Sequence, residues 1–254
     1  MDIQAELISI GNELLSGRTL NTHGRDLGEA LSAIGLQLVR DTTIPDDLFT
    51  IGQAVDEAFE RVSLVFVSGG LGPTVDDITR DALARLLNCK IVLDQATIDH
   101  LKGWYEKRGR TITIAATRQA QVLENATVLF NPVGAAPGQR IEIDKQKTLF
   151  VLPGPPNEFN AILKEEIIPW LQKTYKHARP KLVRIVRTKG IGESDIVTIL
   201  ESAGFEPHNI ELGFYPGMGK VEIRLTADSD HSLPIAEAEQ TLLKLLADHL
   251  DLYD

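Results

Sequence analysis

The chain has 254 residues, 43% of them hydrophobic, a formal net charge of −10 and one cysteine. Folding a chain this long buries roughly three-quarters of its accessible surface, so its core needs no disulfide or metal staple. The lone Cys89 excludes an intramolecular disulfide and a CxxC-type zinc site, and it fits a reducing compartment.

Further exclusions follow from charge and hydropathy. Net acidity argues against nucleic acid as a partner, because such binders carry a basic face. No stretch approaches the roughly 18 uninterrupted apolar residues of a membrane span. The acidic start, Met1-Asp2-Ile3-Gln4-Ala5-Glu6, lacks the cationic segment of a signal peptide. A cytoplasmic globular protein is expected, as one large domain or two smaller ones.

In chain order, residues 3–10 form a short apolar run that stops at Gly11, as a buried strand does. Leu27, Ala30, Leu31 and Ile34 follow at helical spacing and end at Gly35, the residue favoured just past a helix. A strand is expected over 36–43, then a helix carrying Ile51, Val55, Ala58 and Phe59. The run Leu64–Val67 is the third strand, and Ile78, Ala82, Leu83 and Leu86 mark the next helix. This β-α-β-α-β-α alternation predicts parallel strands joined by right-handed crossovers. Sheets of that kind bind ligands beyond the carboxyl ends of their strands.

The middle of the chain is less regular. Helices are expected over 94–108 and 113–121, strands over 127–130, 140–143 and 148–152, and a helix over 156–172. The rhythm then changes to strand (182–187), helix (193–203), two strands (210–215 and 221–226) and helix (233–250). The two strands are joined by a hairpin at Tyr215-Pro216-Gly217-Met218-Gly219-Lys220. The polar stretch 174–179 separates the parts. The expectation is an α/β domain over 1–175 and a smaller α+β domain over 176–254.

Three strand-ending loops could carry chemistry. Ser68-Gly69-Gly70-Leu71-Gly72-Pro73-Thr74-Val75-Asp76-Asp77 is the strongest, since its glycines let the backbone approach a ligand and adopt positive φ. The amides of the following helix would favour an anion there. Asp76 and Asp77 oppose a bare phosphate, and a divalent cation resolves the conflict by taking carboxylate and phosphate oxygens together. The competing structural role is a capping box, for which Thr74 and Asp77 have the spacing. The loop completes neither a Walker A nor a GxGxxG motif.

The loop after the first strand, Gly11-Asn12-Glu13-Leu14-Leu15-Ser16, opens on the same sheet edge. Glu13 could ligate a metal or act as a base, and Asn12 and Ser16 could hydrogen-bond a polar ligand. In Pro153-Gly154-Pro155-Pro156-Asn157-Glu158 the prolines stiffen a pocket wall and Pro156 suits a first helical turn, with Glu158 at the lip. The six histidines show no metal-ligand spacing and are expected mostly on the surface.

The segments IGNELLSG (10–17), SGGLGPTVDDITRDALA (68–84), NPVGAAPG (131–138), LPGPPNE (152–158) and GIGESDI (190–196) together resemble the CinA (competence/damage-inducible protein A) family. The resemblance runs over essentially the whole chain, and the N-terminal part is similar to the molybdopterin-binding fold of the MogA/MoeA type. It implies a three-layer α/β/α domain with a mostly parallel sheet, a smaller α+β domain and a homodimer. It also implies metal-dependent hydrolysis of the diphosphate of ADP-ribose, or a similar nucleotide, to AMP and ribose 5-phosphate. On that reading Gly69, Gly70, Leu71, Gly72, Pro73 and Thr74 cradle the diphosphate. Gly11, Asn12, Ser16, Pro153, Gly154, Pro155, Pro156 and Glu158 complete the substrate site. Asp76 and Asp77 hold Mg, Mn or Co, with Glu13 as a further catalytic candidate. Asn12 stands where relatives often have aspartate. Many family members carry a C-terminal nicotinamide-mononucleotide deamidase domain. This sequence stops at Leu252-Tyr253-Asp254, where it would begin, so that activity is not expected. The alternatives are a pterin- or molybdopterin-nucleotide-binding module without hydrolysis, and a partner-binding protein of competence or damage responses.

Overall fold

Strand β1 (Gln4–Ile10) is buried on both faces after its first residue, and its side chains alternate between two cores. Ile8 and Ile10 join one apolar cluster and Ala5 and Leu7 the other, the period-2 division of a sheet covered on both sides. The computed structural model describes residues 3–107 and 109–251. Met1, Asp2, Arg108 and residues 252–254 lie outside the described residues, as do therefore the end of the helix expected over 94–108 and both termini named above.

From β1 the chain passes through α1 (Asn12–Leu15), α2 (His23–Ser32), β2 (Gln37–Ile44), α3 (Leu48–Arg61), β3 (Leu64–Ser68) and α4 (Thr79–Leu86). Strands β4 (Ile91–Leu93) and β5 (Gln121–Leu123) pair antiparallel around α5 (Gln95–Glu106) and α6 (Ile114–Thr117). This two-stranded sheet was not expected; its three-residue strands are too short to show a period. Then come β6 (Thr127–Leu129), β7 (Gly138–Glu142), β8 (Thr148–Leu152), α7 (Pro156–Ile162) and α8 (Ile168–Thr174). A π-helical turn over Leu163–Ile167 joins the last two. Pro169 has no amide to donate to the carbonyl four residues back, so the regular α-helical ladder is interrupted there.

The main sheet has the order β2-β1-β3-β8-β7-β6, with β2, β1, β3 and β8 parallel and β7 and β6 antiparallel to their neighbours. Helices α3 and α4 cover one face through Ile51, Val55, Ala58 and Leu83. Helices α2 and α7 cover the other through Leu27, Leu31, Phe159 and Ile162. The chain leaves β1 toward β2 and returns to β3 on the opposite side, so the order reverses between β1 and β3. That reversal opens a crevice at their carboxyl ends.

The chain divides at Ala178/Arg179, a few residues past the expected boundary. The second unit holds β9 (Leu182–Lys189), α9 (Glu193–Ser202), β10 (Glu211–Gly217), β11 (Lys220–Ala227) and α10 (Ser232–Leu245). Its antiparallel sheet, β10-β11-β9, buries Val186, Val221, Ile223 and Leu225 against Ile196, Ile235 and Leu242. The helix expected to reach residue 250 ends at Leu245, and Leu250 instead makes an antiparallel bridge to Thr188.

Candidate active site

The ends of β1, β3 and β8 open onto one cavity of about 440 Å³. Glu13, Asp76, Asp77 and Glu158 all line it, together with Gly11, the Gly69–Gly72 loop and Pro153–Pro156. Asn12, Ser16, Pro73 and Thr74 do not line it. The Asn12 amide donates to Asp46 Oδ2 at 2.8 Å and the Ser16 hydroxyl donates to the Glu13 carbonyl at 3.2 Å, so both residues shape the turn beside the site.

The glycine loop is braced from the residues that follow it. Asp77 Oδ1 accepts from the Gly72 amide at 2.7 Å, and Oδ2 accepts from the Thr74 amide at 2.8 Å and from the Thr74 hydroxyl. The Thr79 hydroxyl donates to the Gly69 carbonyl at 2.9 Å. The buried Arg80 guanidinium donates to the carbonyls of Leu71 and Gly72 at 2.7 and 2.9 Å. Gly69 and Gly70 have φ of 107° and 66°. A Cβ at Gly69 would collide with the Ile10 carbonyl oxygen, and one at Gly70 with the Thr79 hydroxyl. Both glycines serve the left-handed backbone; Gly69 also allows the close approach to β1 and Gly70 the packing of Thr79 against the loop.

This geometry corrects two expectations. Helix α4 begins only at Thr79, with Ile78 at its N-cap and no side-chain cap, so Thr74 and Asp77 are not a capping box. Asp77 instead closes a turn ahead of the helix. The helix amides also do not follow the glycines directly; the free donors there belong to the loop itself. Its own bonds use the amides of Gly69, Gly72 and Thr74 and leave those of Gly70 and Leu71 uncommitted among the described residues.

The four acids differ in state and surroundings. Asp76 is exposed and its Oδ1 shares the one Thr74 hydroxyl proton with Asp77 Oδ2; that bond and its own amide hold it below the usual carboxylate range. The Glu13 carboxylate is exposed and lies over Gly11. Glu158 is partly buried, and burial pushes its carboxyl up even though Asn131 Nδ2 donates to it at 2.7 Å. Asp46, which sequence reasoning did not single out, is a fifth carboxylate on the wall, and no Lys or Arg lines the cavity among the described residues.

His23 was also missed. At 5% exposure it is the one buried histidine, set by the first turn of α2 against the cavity. Its ring stacks on Phe159 at 4.3 Å and its Nδ1 lies 3.1 Å from the Ser68 hydroxyl. Burial lowers its pKa, against the opposing influence of Asp26 and the Gly154 carbonyl, so the ring is neutral at neutral pH. Of the other histidines, His177 and His208 are exposed and His100, His231 and His249 half-buried. Only an apolar helix face beginning at His23 hinted at its place.

The acids do not form a prebuilt metal cage. Among the described residues, the one group of three or more such side chains whose ligand atoms lie within 4.8 Å of one another is Asp228, Asp230 and His231, in the second unit. Asp77 is committed to its loop and Asp46 Oδ2 to the Asn12 amide, which leaves Asp76 and Glu13 as the exposed carboxylates on the wall. One or two carboxylates plus phosphate oxygens and waters suit Mg²⁺, which seldom takes an all-protein cage.

A glycine loop and carboxylates at the switch point of a mostly parallel sheet define a molybdopterin-binding-like α/β protein, and residues 6–173 match the family described as "Probable molybdopterin binding domain". Residues 183–250 match "Damage-inducible protein CinA KH domain". The chain belongs to the CinA family. It is 36% identical over 225 residues to a "Putative competence-damage inducible protein" of Desulforamulus reducens, covering 88% of this chain and 54% of the relative. It is 37% identical over 229 residues to a "CinA-like protein" of Kosmotoga olearia, covering 90% and 55%. The chain thus spans about half the length of these curated relatives. A crystal structure of CinA from Thermoplasma acidophilum, described as of unknown function, is 34% identical and superimposes with a TM-score of 0.59, covering 68% of this chain and 98% of that one. No helix among the described residues is long and apolar enough to cross a membrane.

Proposed function

We propose that the cavity binds the diphosphate of ADP-ribose, or of a similar nucleotide, as a divalent-metal complex and hydrolyses it to AMP and ribose 5-phosphate. The observation that carries this reading is the wall's charge. Glu13, Asp46, Asp76, Asp77 and Glu158 line the cavity and, among the described residues, no Lys or Arg does; the Arg80 guanidinium near Asp77 is buried behind the loop against the Leu71 and Gly72 carbonyls. A diphosphate entering alone would meet only repulsion from these side chains, whereas one carrying Mg²⁺, Mn²⁺ or Co²⁺ would bring its own counter-charge. Asp76 and Glu13 would hold that ion. When bound, it offsets the diphosphate charge and polarises the phosphoryl group.

The chain's own residues supply the rest. The uncommitted amides of Gly70 and Leu71 orient phosphate oxygens. Asp77, Thr79 and Arg80 keep the loop in the shape that presents those amides. In the reaction a water oxygen bonds to phosphorus and the bridging P–O bond breaks. A carboxylate takes the water's proton and the leaving phosphate regains one from solvent. Glu158, with its raised pKa, is suited to such proton transfer.

The test measures AMP release from ADP-ribose with each of the three metals and with EDTA. Release that needs the ion supports the reading, and no turnover with any of them overturns it. The second reading, pterin-nucleotide binding without hydrolysis, is favoured by the description of the matched N-terminal family. It predicts pterin binding that competes with ADP-ribose in a protein that never releases AMP. A homodimer belongs to the first reading and is checked by sedimentation.

A further inference from the structure

We infer that Asn131 is the positioning residue for Glu158: it holds Oε2 and leaves Oε1 as the one carboxylate oxygen that takes a proton from the attacking water. The inference rests on the hydrolysis reading above and adds to it a residue and an assignment of the two oxygens.

Asn131 is 2% exposed, and every hydrogen-bonding position of its side chain is used. Nδ2 donates to the Ala136 carbonyl and to Glu158 Oε2, both at 2.7 Å. Oδ1 accepts from the amides of Val133 and Gly134 at 3.2 and 2.9 Å. A carboxamide has two N–H protons and two lone pairs on its oxygen, so the four partners satisfy it completely. They also fix which way it points. Turned over, its oxygen would face a carbonyl and a carboxylate while its NH₂ faced two amide protons, and all four bonds would be lost. Asn131 does not line the site cavity, so it acts there through Glu158.

The consequence is a difference between the two oxygens of Glu158. A neutral carboxyl accepts better through its carbonyl oxygen than through its hydroxyl, so the Asn131 bond keeps Oε2 as the carbonyl and puts the proton on Oε1. Oε1 has no hydrogen bond among the described residues and is not one of their buried unpartnered atoms, which makes it the oxygen open to the cavity. Gly134 clears the place, since a Cβ there would collide with the Glu158 carboxyl group. Loop 131–138 carries no titratable side chain, and the others on the cavity wall are Glu13, Asp46, Asp76, Asp77 and His23. Burial raises the Glu158 pKa and the Asn131 bond lowers it. As the water oxygen bonds to phosphorus and the bridging P–O bond breaks, the water's proton passes to Oε1.

The test uses the full chain with ¹³C at glutamate Cδ and ¹⁵N at asparagine, titrated from about pH 3 to pH 8. The Glu158 signal is assigned by its loss in Glu158→Gln. An Asn131 Nδ2 proton should shift with the same midpoint as Glu158 Cδ and stay protected from solvent on both sides of it. Asn131→Asp keeps an acceptor for the Val133 and Gly134 amides but sets an oxygen against Oε2, so the Glu158 midpoint should rise. ADP-ribose hydrolysis is measured with whichever of Mg²⁺, Mn²⁺ and Co²⁺ supports AMP release. There Asn131→Asp should lower kcat about ten-fold with KM within two-fold, the loss of one charge-assisted bond. The low-pH limb of its rate profile should move up with the midpoint. Gly134→Ala leaves Asn131 intact and displaces the carboxyl group, and it should lower kcat to a similar degree. In a Glu158→Gln background neither change should lower kcat further.

An Nδ2 proton indifferent to the Glu158 titration overturns the inference, as does a folded Asn131→Asp with an unmoved midpoint or rate profile. So does a loss of kcat that is equally large in the Glu158→Gln background, which would make Asn131 structural only. If Asn131→Asp does not fold, the wild-type titration and Gly134→Ala decide the same question. A wild-type protein that releases no AMP with any of the metals overturns the hydrolysis reading and the proton transfer with it. The coupled titration of Asn131 and Glu158 distinguishes that failure from an error about the pair.

Discussion

Replacing Asp77 by asparagine separates bracing of the glycine loop from metal binding, because Asp76 beside it offers the contrasting case. The Asp77 carboxylate accepts from the Gly72 amide, the Thr74 amide and the Thr74 hydroxyl. An asparagine has one acceptor oxygen. If it keeps the Gly72 bond, its NH₂ faces the Thr74 amide and that bond is lost, while the Thr74 hydroxyl can keep its proton on Asp76 and accept from the NH₂. A hydrogen bond to a charged acceptor contributes about 1.5–3 kcal/mol. Thr74 is exposed and its amide regains water, so the net cost is taken at about 2 kcal/mol. That raises the open population of the loop roughly 30-fold. Native-state hydrogen exchange should show the Gly72 and Thr74 amides exchanging faster by about that factor, while the melting temperature hardly moves because the opening is local. Asp76→Asn should leave those amides within two-fold of wild type and shift only the metal dependence of AMP release. Unchanged protection in Asp77→Asn would refute the bracing role. Equal deprotection in both variants would refute the division of labour between the two acids.

Three further outcomes are expected. Gly69→Ala places a methyl group against the Ile10 carbonyl oxygen at a φ of 107°, so AMP release should be lost along with several degrees of melting temperature; wild-type activity in this variant would show that the loop backbone does not set the site. Arg80→Met removes two donors to the loop carbonyls from a buried position; at about 3 kcal/mol the melting temperature should fall by roughly 6–12 °C, and a fall under about 2 °C would contradict the clamp. For Glu158, burial raises the folded pKa above 4.5, so its contribution to stability is full below that value and lost as pH rises through the folded pKa. Glu158→Gln should therefore melt near wild type at pH 4 and increasingly above it toward pH 7, and a gain that does not grow with pH would count against the burial argument.

Much of this architecture was legible in the chain. The alternation of Ala5 and Leu7 with Ile8 and Ile10, or of Leu64 and Phe66 with Val65 and Val67, divides each strand between two cores. The apolar stripes between those strands supply the covering helices. Parallel order and right-handed crossovers then put the Gly11, Gly69 and Pro153 loops on one edge. The short pair β4–β5 and the end of α10 were not legible, since three residues carry no period and a helix end depends on what it packs against.

The acidic balance noted at the outset resolves, at the site, into carboxylates around one cavity, and sequence alone located Glu13, Asp76, Asp77 and Glu158 there because each sits in or next to a strand-ending loop. What those side chains do was decided by tertiary partners. Asp77 had the spacing of a cap and became a loop brace, because α4 starts at Thr79. His23 and Ser68 meet across 45 residues of chain, Ser68 and Pro153 across 85, and Asn131 and Glu158 across 27. Local pattern can place a residue on a face or at a strand end. Which proton it holds and how far it is desolvated depend on atoms brought close only when the sheet is assembled.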